Sequence, residues 1–572
     1  MVEKAPQSLQ AKLYRRYEHS PQGRALAFYE PSGKYTWRSY AELYEAGLSR
    51  AKALSAKGLR PGEVCILIPE NDEFSTTNLM AVLILGAIPV LSAPPIVRGH
   101  HSNLKAVLRY LLRKTQARMV ITSIHLEALL EELPKTHNKV QFIFGEAKLG
   151  NDSATADKVC HFPDPGTVVA MQLTSGTTGF PKICVWNHTR VLAALDGMVE
   201  GMGTTKNDVF VNWTPLYHDM GLVNNFLFCM VQDIPLVMMS TFEFVKNPVI
   251  WLKALTDVGA TMTWSPNFGY AIAANWVRDD QLEGVRLDRV RAFWNAAERI
   301  HLETIETFHR RFSGHGVSMQ ALKTNFGMAE NVGGATFSDP QGMFAVEHLN
   351  ADTLFKHGKA MVVQRSDSGP SKTVTAVGVG RPYPGLELKI ISRKHRALGD
   401  GEVGEVAFVS PSRMLGYLSN AKETKKAIKG ELLRTGDLGY QRNGELFWLG
   451  RLKERINLNG KKYDPSDFEK ALLGVEGLRK GCFAVFGVDD EQAGTQRLII
   501  VAEKRDTSPV PEQTIMRNIA GSINRQLGVK VSEAILLGEG SMTKTSSGKR
   551  RHRYYHELYT NGKLEPVAQS RL

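Results

Sequence analysis

"LTSGTTGFPK", residues 173–182, follows the apolar run "TVVAMQL" and gathers Thr174, Ser175, Thr177 and Thr178 with Gly176, Gly179 and Lys182. A strand that feeds a loop rich in glycine and hydroxyls suits phosphate oxygens. Glycine lets the backbone approach closely, and main-chain N–H groups and hydroxyls donate. The spacing differs from the common nucleotide loop, G-x-x-x-x-G-K-[ST], because Gly176 and Gly179 are three apart and Lys182 follows Pro181. A solvated strand-to-strand turn has the same composition, so the reading turns on what surrounds it.

Outward from this loop, short apolar runs recur: "EVCILIPE", "RMVITSI", "VQFIFGE", "DVFVNW" and "ATMTWSP". Apolar on both faces, they predict strands of mostly parallel sheets covered by helices. Helical stretches such as "SYAELYEAGLSRAKALSAKG" and "PVIWLKALTDVG" lie between them. After residue 380 the chain becomes turn-rich with short strands, a small β module at about 380–450. Beyond "GRLKERINLNG" (450–460) the pattern changes again, to helix, strand, strand, helix. The expectation is an α/β protein. A large N-terminal domain, 1–452, has helix-covered mixed or parallel sheets plus the β module, and a smaller α+β C-terminal domain, 453–572, follows a linker at about 451–454.

The 572 residues are 43% hydrophobic, ordinary for a globular chain of several domains. The net charge of +13 favours acidic partners. The basic residues are dispersed until "GKRRHRYYH" (548–556), which does not make a nucleic-acid binder, and none is expected. Five scattered cysteines without a C-x-x-C pair argue against a zinc site or disulfide frame. With no apolar secretory segment near the start, they lead to the expectation of a cytoplasmic protein. "LMAVLILGAIPVLSAPPIV" (79–97) is uncharged over nearly a membrane's width, but Gly86, Pro89, Pro94 and Pro95 interrupt it. It reads as a buried helix, about 74–86, turning into a short buried strand, not a membrane span.

Four further stretches carry chemistry. "WTPLYHDMGL" (213–222) sets His218 and Asp219 among aromatics. "TNFGMAEN" (324–331) places Glu330 beyond a glycine, and "LRTGDLGY" (433–440) places Asp437 after Gly436. "MTKTSSGKRR" (542–551) is a second glycine- and hydroxyl-rich loop, ending in Lys549. A polyphosphate loop calls for a carboxylate to hold Mg²⁺, a ribose for a carboxylate acceptor, and transfer at phosphorus for a cation where charge develops. Glu330, Asp437 and Lys549 suit those roles.

In this order the motifs resemble the adenylate-forming superfamily of acyl-CoA synthetases, nonribosomal adenylation domains and luciferases, over essentially the whole chain. The correspondence covers "TSGTTGFPK", "FGMAE", "TGDLGY", the hinge "GRLKERINLNG" and "KTSSGK". "GAIPVLSAPP", "WTPLYHDMGLV", "SPNFGYAI", "NLNGKKYDPSDFE" and the long segment 338–378 look most like the fatty-acyl-AMP ligases. The resemblance implies ATP and Mg²⁺, a carboxylic acid (a fatty acid) as substrate, and an acyl-carrier protein as acceptor. It also implies that the C-terminal domain is mobile, and in that branch an extra segment near 338–378 accompanies poor use of CoA. An acyl- or aryl-CoA synthetase, or a non-catalytic module of the same fold, are the alternatives.

Carried over residue by residue, the resemblance assigns Thr174, Ser175, Gly176, Thr177, Thr178, Gly179 and Lys182 to the β- and γ-phosphates. Glu330 and Thr178 go to the metal, and Asn295, Ala296, Ala297 and Glu298 to the adenine pocket. Asn325, Phe326, Gly327 and Met328 also face the nucleotide, Phe326 stacking on adenine. Asp437 and Arg451 hold the ribose, Lys453 is the hinge, Lys549 meets the carboxylate and α-phosphate, and His218 sits by the acyl carboxylate. Trp213, Trp264, Phe268 and Tyr270 are expected along the acyl tunnel. The chain departs from the family at Ile183 and Cys184, at Ala296, at Arg299 where proline is common, and at Thr543. None of these removes a charged catalytic group, but those near 295–299 border the acyl pocket and bear on substrate identity.

Overall fold

The computed structural model describes residues 7–95, 101–146, 162–174, 181–364, 373–458, 461–490, 495–545 and 549–571. Two large mixed sheets, of nine and seven strands, form the first three quarters of the chain. The expected strands are present as Val64–Ile68, Met119–Thr122, Gln141–Phe144, Val168–Leu173, Phe210–Asn212 and Met262–Pro266. In the nine-stranded sheet, Leu322–Met328, Ala292–Ala296, Met262–Pro266 and Phe210–Asn212 lie side by side and parallel. Val64–Ile68 and Met262–Pro266 are buried along their whole length, as helix cover on both faces requires.

The uncharged run that starts at residue 79 folds as expected over its described part, up to residue 95. Helix Glu73–Leu85 is capped by Asp72, whose side chain accepts from the Ser75 N–H. Gly86 ends it at φ +77°, a left-handed turn that glycine adopts without strain. The strand Ile88–Leu91 follows, buried throughout. Among the described residues no helix is long and apolar enough to cross a membrane. Cys65, Cys184, Cys229 and Cys482 are free and buried.

One connection was not anticipated in direction. Val168–Leu173 pairs antiparallel with Ile183–Asn187, so the loop of residues 174–182 closes a hairpin inside the seven-stranded sheet. Its ends are pinned. The Thr174 N–H donates to the Lys182 carbonyl at 2.9 Å, and the Lys182 N–H to Thr174 Oγ1 at 3.2 Å.

A separate five-stranded sheet carries Leu432–Arg442 and Glu445–Arg451. Within segment 338–378, Val346–Asn350 pairs antiparallel with Thr373–Val377. Its Leu349, Leu354 and Ala376 pack with Tyr440 and Phe447 of that sheet. The principal core runs from Leu9 to Leu446, and a distinct core runs from Ile456 to Leu536 around the strands Leu478–Asp490 and Thr495–Lys504 and the helix Glu512–Leu527. Lys453 lies in the turn between Glu445–Arg451 and the next strand, Ile456–Leu458.

Candidate active site

Ligands of open parallel sheets gather beyond the carboxyl ends of the strands, and four neighbouring strands deliver their ends to one cleft here. Phe210–Asn212 leads into Trp213–His218, and Met262–Pro266 leads into the helix Asn267–Trp276. Ala292–Ala296 runs into Ala297 and Glu298, and Leu322–Met328 runs into Glu330. Thr174 and Lys182 reach the same cleft from the other large sheet, Asp437 and Arg451 from the five-stranded sheet, and Lys549 from the C-terminal part. Ser175, Gly176, Thr177, Thr178 and Gly179 lie outside the described residues.

The acidic turn is held from three sides. Trp186 Nε1 donates to the Ala329 carbonyl at 2.8 Å, the Met414 N–H to the Glu330 carbonyl at 2.8 Å, and Ser412 Oγ to the Asn331 carbonyl at 3.0 Å. Tyr417 Oη then donates to Glu330 Oε1 at 2.7 Å. The Tyr417 ring also lies 4.5 Å beneath Lys182 Nζ, which pairs with Glu423 at 3.0 Å. Lys426, and after it Lys182, hold the Glu423 carboxyl down at about 2. The 414–424 segment therefore positions both Glu330 and Lys182, although the sequence offered no sign of it beyond Tyr417 beside a glycine.

Asp437 and Arg451 are directly opposite in their antiparallel pair, which is why residues fourteen apart meet. Arg451 Nε lies 2.9 Å from Asp437 Oδ1, and the Asp437 side chain is 1% exposed. Burial raises the Asp437 carboxyl above its ordinary value against the pull of Arg451. Among the described residues neither oxygen accepts a hydrogen bond of good geometry. A buried carboxylate so left has acceptor capacity for a ligand's hydroxyls.

His218 Nδ1 lies 2.7 Å from Asp219 Oδ1. Burial acts to raise the Asp219 carboxyl, but His218 and Lys549 outweigh it and the net shift is downward. Asn71 fixes the loop before them: its Nδ2 donates to the carbonyls of Trp213 (3.3 Å) and Thr214 (3.1 Å), and its Oδ1 accepts from the Leu216 N–H at 3.0 Å. Lys549 faces Arg451, Asp219, Glu298 and Asp437; burial first, then Arg451, lowers its pKa from the lysine value. Asp219, named beside His218 in the sequence but given no role there, pairs with His218 and feels the charge of Lys549.

Other expected residues take definite places. Phe326 is buried, its ring centroid 6.0 Å from Phe408 and 6.3 Å from Trp448. Asn325 is tied to the Thr336 carbonyl at 2.5 Å. Glu298 caps the helix Asn267–Trp276, taking the Phe268 N–H at 2.6 Å, and burial raises its carboxyl. Ala297 turns the chain there at φ +72°. Trp213 and Phe268 line the cleft, whereas Trp264 and Tyr270 do not. Trp264 stacks on Trp294 at 5.5 Å, and Tyr270 Oη donates to the Trp294 carbonyl at 3.0 Å, so both belong to the core. The cleft-facing stripe of that helix is Phe268, Ile272 and Trp276, one turn apart, with Trp276 55% exposed. Phe242 and Val245, also exposed, stand on the same cleft.

The basic C-terminal cluster is largely engaged. Arg550 pairs with Glu469 at 2.6 Å, Arg551 stacks on Tyr554, and His552 is buried with Nδ1 accepting from the Val485 N–H at 3.0 Å.

These features describe a class, and comparison with known proteins bears it out: residues 13–418 match the family described as "AMP-binding enzyme". The chain belongs to that family of adenylate-forming enzymes. It is 28% identical over 548 residues, 92% of this chain and 90% of the relative, to the "Medium-chain-fatty-acid--[acyl-carrier-protein] ligase JamA" of Moorena producens (strain JHB). It is 26% identical over 564 residues, 93% of this chain and 88% of the relative, to the "4-hydroxyphenylalkanoate adenylyltransferase" of Mycobacterium tuberculosis (strain ATCC 25618 / H37Rv). Among solved structures, one from "Structural and Functional Studies of Fatty Acyl-Adenylate Ligases from E. coli and L. pneumophila" matches with a TM-score of 0.89 at 25% identity, covering 98% of this chain and 99% of that one.

Proposed function

We propose that this enzyme activates a fatty acid with ATP, forming acyl-AMP and releasing pyrophosphate, and then passes the acyl group to the phosphopantetheine thiol of an acyl-carrier protein. The observation that carries the reading is Lys549: it enters from the C-terminal part and faces Asp219, Asp437 and Arg451 within one cleft. A cation there, between the acid side and the ribose side, stands where charge develops as a carboxylate attacks phosphorus.

The residues divide the work as follows. Asp437 and Arg451 hold the ribose, and Phe326 lies along the adenine with Asn325, Gly327 and Met328 beside it. Residues 295–298 shape the far wall of the adenine pocket. Thr174, Lys182 and the hydroxyl loop between them cradle the β- and γ-phosphates. His218, held by Asp219, borders the acid's carboxylate, and Lys549 contacts that carboxylate and the α-phosphate. Glu330, a single fixed carboxylate on the cleft, fits Mg²⁺, which takes one or two carboxylates plus substrate phosphates. With Thr178 as a further ligand, the ion neutralises phosphate charge when bound. The C-terminal part, 453–572, turns about Lys453 to exchange Lys549 for the thiol, since a few linker torsions suffice for such a motion.

An alkyl chain is favoured by the stripe Phe268, Ile272 and Trp276, which runs about 12 Å at 1.5 Å per residue. Its exposed outer end leaves room for a long or aryl-tipped tail, in keeping with the acids named for the two relatives. The carrier as acceptor is favoured by the first relative's name and by the contact of segment 338–378 with the C-terminal part. There Asp352 pairs with Lys461 at 3.2 Å and the Phe355 ring meets Tyr463 at 5.3 Å. Pyrophosphate release measured across butanoate to hexadecanoate and ω-aryl alkanoates tests the first half-reaction. Turnover with alkanoates is the expected result, and none with any acid overturns the reading.

A further inference from the structure

We propose that Arg299 is a positioning residue that seats the C-terminal part, and Lys549 with it, over the adenylating site through its ion pair with Asp467, two residues before the Glu469 that holds Arg550. The proposal rests on the two-step reading above.

Arg299 directly follows Glu298 beyond the strand Ala292–Ala296. Its Nη1 donates to Asp467 Oδ1 at 2.6 Å and to Ser466 Oγ at 2.8 Å, and the Arg299 and Asp467 side chains are both largely buried. Asp467 lies in the 3₁₀ turn Pro465–Phe468, just beyond the linker, where its other oxygen accepts from the Asp464 N–H at 2.8 Å. Glu469 opens the next helix. Its Oε1 accepts from Arg550 Nη1 at 2.6 Å, and its Oε2 lies 3.8 Å from His301 Nε2. Arg550 is the neighbour of Lys549 in the chain. Arg299 thus pairs across the cleft with a turn that leads directly into the helix whose Glu469 holds Arg550, the residue next to Lys549.

The partners identify the role. The hydrogen bonds of Arg299 run to Ser466 and Asp467, both across the cleft, so the guanidinium does not hold its own sheet together. The bridge is balanced: Arg299 and Arg550 face Asp467 and Glu469. His301 adds no charge at neutral pH, because burial, Arg299 and Arg550 lower its pKa to about 3. Asp464 and Arg455 flank the turn with opposite charges. Close approach is built in at Gly450, φ +132°, where a side chain would run into Asp464. When the C-terminal part turns away, Arg299 and Asp467 separate and meet water, while Glu469 and Arg550, both on that part, stay paired. The bridge therefore favours one arrangement, the one with Lys549 in the cleft, without gluing the chain shut. Removing one member of a buried pair leaves the other uncompensated only in that arrangement.

The test uses the full-length protein and two assays: single-turnover pyrophosphate release from ATP and dodecanoate, and acyl transfer from synthetic dodecanoyl-AMP to a phosphopantetheinylated carrier protein. Arg299→Ala should slow the first about thirty-fold or more, the usual scale for truncating one partner of a buried charge pair. It should leave the second and the melting temperature unchanged. Arg299→Lys should recover part of the loss, and Arg299→Asp combined with Asp467→Arg most of it. Asp467→Asn gives the same split if Arg299→Ala fails to fold. Equal losses in both assays, or a charge reversal no better than its single variants, overturns the positioning role while the wild type still releases pyrophosphate. A wild type that releases none overturns the underlying reading instead.

Discussion

Lys549→Ala tests the catalytic role proposed for the lysine that the C-terminal part brings to the cleft. The substitution should be structurally mild. The main-chain bonds at this position, N–H to Thr545 Oγ1 at 2.9 Å and carbonyl from the Thr545 N–H at 2.8 Å, do not involve the side chain. The ammonium is also held at a cost, since burial and Arg451 lower its pKa, so its removal should not reduce the melting temperature. What is lost is a single cation at the reacting phosphorus, worth about 10²–10³ in rate. Pyrophosphate release from ATP and dodecanoate should fall by that factor, and transfer from synthetic dodecanoyl-AMP should stay within a few-fold of wild type. The sign with pH follows. The working form is protonated, so adenylation should decline as pH rises through a value below that of free lysine, and the variant should lack that limb. Equal losses in both half-reactions, or a variant retaining the alkaline limb, would refute the assignment.

Ile272→Trp, midway along the stripe, should abolish activation of dodecanoate while sparing butanoate; equal effects on both acids would remove the stripe from the substrate's path. In the wild type, kcat/KM should climb about four-fold per added methylene, from about 0.8 kcal/mol each, and level off once the tail reaches exposed Trp276. Asp437→Asn should raise the KM for ATP about ten-fold or more, the scale of a hydrogen bond to a charged group. It should also shrink the preference for ATP over 2′-deoxy-ATP, and an unchanged preference would detach Asp437 from the ribose. His552 titrates at about 3 in the fold and near 6.5 when unfolded, so the unfolded chain takes up the proton first as pH falls. Stability should hold above about 6.5 and be lost from there toward 3, by up to about 1.4 kcal/mol per pH unit. The urea midpoint of His552→Asn should fall less steeply between pH 7 and 5.

What was legible in the sequence and what was not divide along physical lines. Buried strands such as Val64–Ile68 announce themselves because both faces are apolar, and Gly86 and the prolines mark where the helix of the 79–97 run must stop. Glu330, Asp437 and Lys549 stood out as candidates because each follows a glycine within three residues in a short polar stretch. Position relative to the cleft was harder. Trp213 and Trp264 occupy similar apolar contexts, and only the packing against Trp294 assigns Trp264 to the core. The antiparallel hairpin around residues 174–182 was hidden because a doubly apolar strand does not state its direction. Pairs such as Arg299 with Asp467, or Tyr417 with Glu330, join residues far apart in the chain and have no local pattern. The pairing of Arg550 with Glu469, 81 residues earlier, has no local pattern either.

The most direct measurement supplies both acceptors at once. The enzyme is incubated with ATP, Mg²⁺, dodecanoate, CoA and a phosphopantetheinylated carrier protein, and the acyl and nucleotide products are followed by mass spectrometry. Dodecanoyl-AMP and pyrophosphate should appear first, then AMP and dodecanoyl-carrier protein, with little dodecanoyl-CoA. ADP in place of AMP, or dodecanoyl-CoA as the main thioester, would contradict the proposed function.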